Sequence, residues 1–350
     1  MTFQMQGKEK KAAILLIYTG GTIGMKKDPR DGTLKPFDFS QIMEEVPELS
    51  KFAVKVDSYT FEPLIDSSDV EPAMWQSLAS LIHKRYDDYD GFVVLHGTDT
   101  MAYSASALSF MLEGLKKPVI FTGSQLPVGE ARTDGKENLI SSVEIASAVD
   151  SNGESTVQEV CIFFNSKLLR GNRSTKVNSE GFDAFASPNY PALADAGIDI
   201  HYNRAFIHHS SQSSLSYHPE LDTRVSIMKI HPGITEHIAR HMLCDDGIRA
   251  AIIETYGSGN AISKPWFTDI VKEACAKGKI ILNVTQCLSG SVNMKVYATG
   301  KALENAGVIS GFDCTTESAL AKLFHLMGKY PDNKDVRERL TCNIRGEISI

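Results

Sequence analysis

The chain has 350 residues, 42% of them hydrophobic and 23% charged, with a formal net charge of −7. That is the composition of a soluble globular protein, and the length suggests two domains. The acidic balance gives no electrostatic footprint for nucleic acid or an anionic membrane, and no apolar run reaches the length of a membrane span.

Lys8, Lys10 and Lys11 precede an apolar stretch at 12–17. This has the outline of a signal peptide, but the apolar core is short and no A-x-A cleavage site follows. Residues 14–24, ILLIYTGGTIG, read instead as a buried strand that stops at Thr19-Gly20-Gly21-Thr22. Strands of parallel sheets are covered on both faces and lose the polar alternation. The glycines allow a sharp turn and close approach of a ligand to the main chain. In open α/β sheets that position, beyond the carboxyl end of a strand, is where ligands bind. Thr19 and Thr22 either cap backbone groups there or meet a small molecule. The glycine spacing matches neither the dinucleotide nor the P-loop fingerprint, so a nucleotide cradle fits poorly.

Residues 25–39 are rich in Lys, Asp, Pro and Gly and read as a long mobile loop, either a lid over Thr22 or plain surface disorder. Residues 54–61 suggest a strand. Asp66-Ser67-Ser68-Asp69 then reads as a helix start, with Ser68 or Asp69 as cap and Pro72 in the first turn. Met74, Leu78, Leu81 and Ile82 follow at helical spacing. The serines either cap or offer hydroxyls and N–H groups to a carboxylate.

Residues 92–95 form another short apolar strand running into His96-Gly97-Thr98-Asp99-Thr100, with a helix predicted over 101–113 and Gly114 as its stop. Asp99 either caps that helix or meets an amine. A strand at 118–121 ends in Thr122-Gly123-Ser124-Gln125, and a helix is expected at 139–149. The strand at 160–164 precedes Arg170-Gly171-Asn172-Arg173-Ser174-Thr175-Lys176. Three cations in seven residues usually form a solvated loop; a lysine brought beside Asp99 and a threonine hydroxyl would instead be a base, since desolvation favours its neutral form.

Residues 198–217 are rich in His, Ser and Asn without a sustained period, and the domain linker is expected at 204–224. His201, His208, His209 and His218 lack a metal-ligand pattern and read as polar linker residues. Strands at 225–230, 250–253 and 280–284 alternate with helices at 265–276, 316–327 and 334–340. The expected fold is α/β, with an N-terminal domain at 1–203 larger than the C-terminal one at 225–350. Each is a mainly parallel sheet flanked by helices. The six cysteines, Cys161, Cys244, Cys275, Cys287, Cys314 and Cys342, make no C-x-x-C pair or zinc pattern. They read as reduced thiols of a cytoplasmic protein, mostly small buried hydrophobes.

Taken together, these strand ends resemble the bacterial-type L-asparaginase family. The two signature regions are Thr19-Gly20-Gly21-Thr22-Ile23 and His96-Gly97-Thr98-Asp99-Thr100. The 66–69, 122–125 and 170–176 segments also match, as do Asp183-Ala184-Phe185-Ala186-Ser187-Pro188-Asn189, Tyr256-Gly257-Ser258-Gly259-Asn260 and Thr285-Gln286-Cys287. The likeness spans essentially the whole chain in order, and the longer motifs resemble the cytoplasmic type I subgroup.

The resemblance implies hydrolysis of L-asparagine to L-aspartate and ammonia through an acyl-enzyme, with no metal or organic cofactor. It assigns Thr22 as nucleophile and groups Thr98, Asp99 and Lys176 as a second catalytic triad. It implies substrate contacts from Ser67, Ser68, Thr98, Asp99, Ser124 and Asn260, with Asn260 lent across a dimer interface. A homodimer or a homotetramer built as a dimer of dimers follows. Two positions depart from the pattern. Many members carry a lid tyrosine, and here the equivalent position is Thr33. Some type I members bind asparagine at an allosteric site through an arginine before the Tyr-Gly motif; this chain has Glu254 there, although Thr175 and Cys287 fit. Two rivals share the pocket: an ammonia-producing amidotransferase subunit and a non-catalytic asparagine sensor. Such subunits usually carry an extra N-terminal domain, and only about a dozen residues precede the first strand here.

Overall fold

In the computed structural model, which describes residues 11–27, 30, 31, 34–36 and 42–350, the first apolar run lies inside a sheet. Ala12–Tyr18 (β1) pairs in parallel with Val54–Thr60 (β2) on one side and Gly91–Leu95 (β3) on the other. Val119–Thr122 (β4) and Val160–Phe164 (β5) extend the parallel ladder beyond β3. Lys167–Arg170 (β6), Ala194–Ala196 (β7) and Ile200–Tyr202 (β8) finish it antiparallel. The order across the sheet is β2-β1-β3-β4-β5-β6-β7-β8. The chain therefore reverses direction across the sheet at β1, and the crevice between the ends of β1 and β3 is a topological switch point.

The absence of polar alternation in β1 has its reason in the packing. Leu15 and Ile17 face a core shared with Pro72–Lys84 (α1) and Met101–Met111 (α2), through Trp75, Leu78, Met101 and Leu108. Ile14, Leu16 and Tyr18 face the other core, against Leu139 and Val143 of Gly135–Ser147 (α3). Both faces are covered, so both must be apolar.

A second, smaller sheet of Val225–Lys229 (β9), Ala250–Thr255 (β10), Ile280–Thr285 (β11) and Ile309–Ser310 (β12) is parallel throughout, in that order. Glu236–Cys244 (α4), Pro265–Ala276 (α5) and Ala298–Asn305 (α6) cover one face through Leu243, Ile270 and Leu303. Thr316–Lys329 (α7) and Asn333–Leu340 (α8) cover the other. α7 also sends Ala321 and Phe324 into the core of the first sheet, with Phe324 6.4 Å from Trp75. The larger and smaller α/β units expected from the sequence are thus present. Among the described residues no helix is long and apolar enough to cross a membrane.

Several local expectations are corrected. The described part of 25–39 is not structureless: Met25–Lys27 and Leu34–Pro36 pair antiparallel. Thr33 lies outside the described residues. Asp66–Asp69 does not open α1. The Asp66 carboxylate accepts the Ser68 N–H and closes a single 3-10 turn, after which Val70 is extended. α1 starts at Pro72, because a residue before proline, here Glu71, is held extended. α2 stops at Met111 rather than 113, since Leu112 and Glu113 leave the helix to pair with Tyr217 and Ser216. Ser216 and Tyr217, expected in the linker, are therefore strand-paired, and His218 within it bonds Glu113 at 3.0 Å. Of the thiols, only Cys161 and Cys244 are buried, while Cys287 and Cys342 are exposed.

The basic segment 170–176 is the largest departure from a solvated loop. Arg170 is buried against Glu159 at 2.6 Å, and Arg173 against Asp313 at 2.9 Å. Both donate to the Gly346 carbonyl of the returning C-terminal segment. Buried guanidinium groups need such partners because an unpaired charge there is very costly. The result is a rigid support directly before Thr175 and Lys176.

Candidate active site

Three turns meet at the switch point, and glycines let them touch. Thr19 donates both its N–H and its hydroxyl to the Leu95 carbonyl, each at 3.0 Å, so the turn after β1 is tied to the end of β3. Gly20 backs onto the Ile65 carbonyl, where a Cβ would fall 2.1 Å away. Gly21, at φ 95°, lies against Gly97, where a Cβ would sit 2.6 Å from the Gly97 nitrogen. Gly97 in turn abuts the Ser67 hydroxyl, which lies 2.4 Å from the place a Cβ on Gly97 would take. Side chains at these positions would force the turns apart, so the turns bearing Thr22, Ser67 and Thr98 are in direct backbone contact.

Thr22 opens the 3-10 turn Thr22–Gly24 and is partly exposed. Beneath it, the Tyr18 ring fills the space a Gly24 side chain would take, and its hydroxyl reaches the Gly21 carbonyl at 3.3 Å. Burial pushes the Tyr18 phenol up to about 12. Ser67 is buried, and its carbonyl accepts the Thr100 hydroxyl at 2.7 Å. Ser68 is exposed and spends its hydroxyl on Asp66 at 2.9 Å.

Lys176 arrives from the segment that follows β6, on Thr175–Lys176, which pairs with Phe185–Ala186. Its Nζ donates to Thr98 Oγ1 at 2.8 Å and to Asp99 Oδ1 at 2.7 Å. Asp99 makes no side-chain cap for α2, whose N-cap is Thr100. The hydroxyl, carboxylate and amine named from sequence therefore form one hydrogen-bonded unit across 77 and 78 residues of chain. Ser124 is buried and donates to the Leu126 carbonyl, and its turn is fixed by Asp134, which accepts from the Gln125 and Leu126 N–H groups.

Asn260 lies elsewhere, in the tight turn after β10, where its main chain pairs with Tyr256 and its side-chain oxygen accepts from Thr299. Among the described residues, no hydrogen bond joins it to Thr22, Thr98 or Lys176. Thr175 and Cys287 meet in a separate cavity of about 250 Å³, with Glu254, Glu317 and Lys229 in its wall. Thr175 donates to Glu317 at 2.6 Å and Thr316 to Glu254 at 2.7 Å. Burial, with Glu254 nearby, holds the Glu317 carboxyl above its usual range.

Sequence reading did not single out Tyr18, Asp134 or Glu317. A tyrosine closing an aliphatic strand is a weak signal. The other two act through contacts 8 and 142 residues away, which no local pattern reports.

A threonine, a lysine held by a second threonine and a carboxylate, and a buried serine meet at a switch point, a set of groups compatible with amide hydrolysis. The family models agree. Residues 13–208 match the one described as "Asparaginase, N-terminal", and residues 224–340 match "Glutaminase/Asparaginase C-terminal domain". The chain is 44% identical to L-asparaginase 1 of Escherichia coli strain K12, covering 97% of this chain and 99% of that protein. The structure of L-asparaginase I from Vibrio cholerae O1 superposes with a TM-score of 0.88 at 40% identity, covering 97% of this chain and 100% of that one. A more distant relative, a component of the glutamyl-tRNA(Gln) amidotransferase of Pyrococcus horikoshii, is 33% identical, covering 99% of this chain and 78% of that protein. The chain belongs to the asparaginase family.

Proposed function

We propose that the protein is a cytoplasmic L-asparaginase, hydrolysing L-asparagine to L-aspartate and ammonia with Thr22 as nucleophile. The observation that carries this reading is the Lys176 amine bonded to both Thr98 and Asp99, beside the Thr22 turn. A threonine hydroxyl attacks an amide only when a base takes its proton. Lys176 takes it, directly or through the Thr98 hydroxyl, as Thr22 Oγ1 bonds to the side-chain amide carbon. Main-chain N–H groups near Thr22 and Thr98 stabilise the oxyanion, at ~3 kcal/mol per donor. The proton then passes to the leaving nitrogen, ammonia departs, and water hydrolyses the aspartyl ester. Ser67 receives the α-carboxylate, with Ser68 and Ser124 lining the pocket, and Asp99 pairs with the α-ammonium.

Asn260 completes the pocket from a second copy, in a homodimer or a homotetramer. Residues 1–203 and 225–350 form the two domains, with 204–224 as linker. Thr175 and Cys287 line the cavity that matches the type I allosteric site, but Glu254 in its wall repels the carboxylate of free asparagine, so asparagine does not regulate the enzyme there. The close L-asparaginase relatives favour this reading over the amidotransferase one.

The test is ammonia release from L-asparagine and L-glutamine over a wide concentration range, with Thr22→Ala and Thr98→Val alongside. Asparagine turnover on a hyperbolic curve, nearly abolished in both variants, is expected. Turnover of glutamine alone would favour the amidotransferase reading, and asparagine binding without turnover the sensor. A sigmoidal curve made hyperbolic by Glu254→Gln would overturn the account of the cavity.

A further inference from the structure

His96 precedes the Thr98 turn and is wholly buried beneath it. Its Nδ1 lies 2.7 Å from the Gly97 carbonyl and its Nε2 lies 2.9 Å from Ser104 Oγ. The partners fix the tautomer. A carbonyl only accepts, so Nδ1 carries the proton and Nε2 accepts from Ser104. The Ser104 oxygen in turn accepts the Trp75 indole N–H at 2.8 Å, and indole only donates. The relay thus runs from Trp75 on α1 through Ser104 on α2 and His96 to the Gly97 carbonyl, with every member buried.

Gly97 has no side chain to restrict its own torsions, because Ser67 occupies the space a Cβ would need. The peptide after it therefore needs an external clamp. In a trans peptide the C=O and the following N–H point in opposite directions. Drawing the Gly97 oxygen down onto the buried imidazole turns the Thr98 N–H away from the core. Among the described residues that N–H has no hydrogen-bond acceptor, whereas the Thr98 hydroxyl on the same residue holds Lys176.

We propose that His96 is a positioning residue: held by Ser104 and Trp75, it fixes the Gly97–Thr98 peptide so that the Thr98 N–H is presented as an oxyanion donor. This rests on the reading of Thr98 as part of the amidohydrolase site. A donor that acts on charge developing in the transition state changes kcat rather than KM. Burial lowers the imidazole to about 4, so the ring stays neutral and the relay intact at neutral pH.

The experiment compares His96→Leu with His96→Asn, whose amide N–H replaces Nδ1, by kinetics on L-asparagine and by crystal structures. His96→Leu loses about 10- to 1000-fold in kcat with KM within about threefold of the parent, and its Gly97–Thr98 peptide is rotated. His96→Asn restores at least about tenfold of that loss and the original peptide orientation. Should the leucine variant not fold, Ser104→Ala, which frees the far end of the ring, replaces it and lowers kcat without raising KM. Unchanged kcat, an asparagine variant as impaired as the leucine one, or an unmoved peptide overturns the proposal. Wild-type protein that does not turn over asparagine refutes the reaction instead, and the peptide orientation then decides on His96 alone.

Discussion

Exchanging Lys176 for arginine separates the lysine's charge from its basicity. Arginine keeps the positive charge beside Asp99 but cannot give up a proton at any working pH. Asp99 is 62% exposed, so the ion pair it makes with Lys176 is worth under about 1 kcal/mol. The hydrogen bond to Thr98 adds about 1 kcal/mol. Lys176→Met thus lowers stability by at most about 2 kcal/mol, and Lys176→Arg by less. A positioned base contributes about 10²- to 10⁴-fold, or roughly 3–5 kcal/mol of barrier. Both variants should fold normally, as thermal melting will show, yet lose at least about a hundredfold in kcat in a coupled ammonia assay. An arginine variant within about tenfold of the parent would refute the base role and leave Lys176 as an electrostatic support.

Acid sensitivity follows from two buried histidines. Burial lowers His96 to about 4, and burial with the neighbouring Lys329 and Arg345 lowers His325 to about 3. The unfolded chain takes up these protons near pH 6.5 and the folded one does not, so the stabilisation is complete above pH 6.5 and declines as pH falls toward 4. Urea titrations at pH 7.5 and pH 5 should differ by about 2 kcal/mol for each histidine; equal stabilities would contradict the buried neutral assignment. Gly21→Ala places a methyl 2.6 Å from the Gly97 nitrogen at φ 95°. It should cost about 2–4 kcal/mol in urea unfolding and abolish turnover, since the Thr22 and Thr98 turns must separate. A stable, active alanine variant would show that the close contact is not needed.

The sequence was most informative where one local cause suffices. The buried strand ending in Thr19-Gly20-Gly21-Thr22 was readable because a parallel strand covered on both faces cannot alternate. α5 was read at its observed bounds, since Pro265 opens it and Gly278 follows its end. The reading failed where distant partners decide. Leu112 and Glu113 leave α2 for a pairing with residues 216 and 217. Arg170 and Arg173 are buried only because Glu159, Asp313 and the C-terminal segment reach them. At 66–69 two local signals competed, and the Asp66 side-chain turn with Pro72 won over an early helix start. Of the site, the residue types and turns were readable from the chain. The contact of Lys176 with Thr98 and Asp99, the placing of Glu317 beside Thr175 and the His96 relay depend on tertiary packing.

The central claim is that Thr22 carries the acyl group, and the direct measurement is ammonia release from L-asparagine by the parent and Thr22→Ala, with acid-quenched samples mapped by mass spectrometry. The account predicts turnover and an aspartyl ester on the Thr22 peptide in the parent, and neither in the variant. A Thr22→Ala protein that releases ammonia at the parental rate would contradict it.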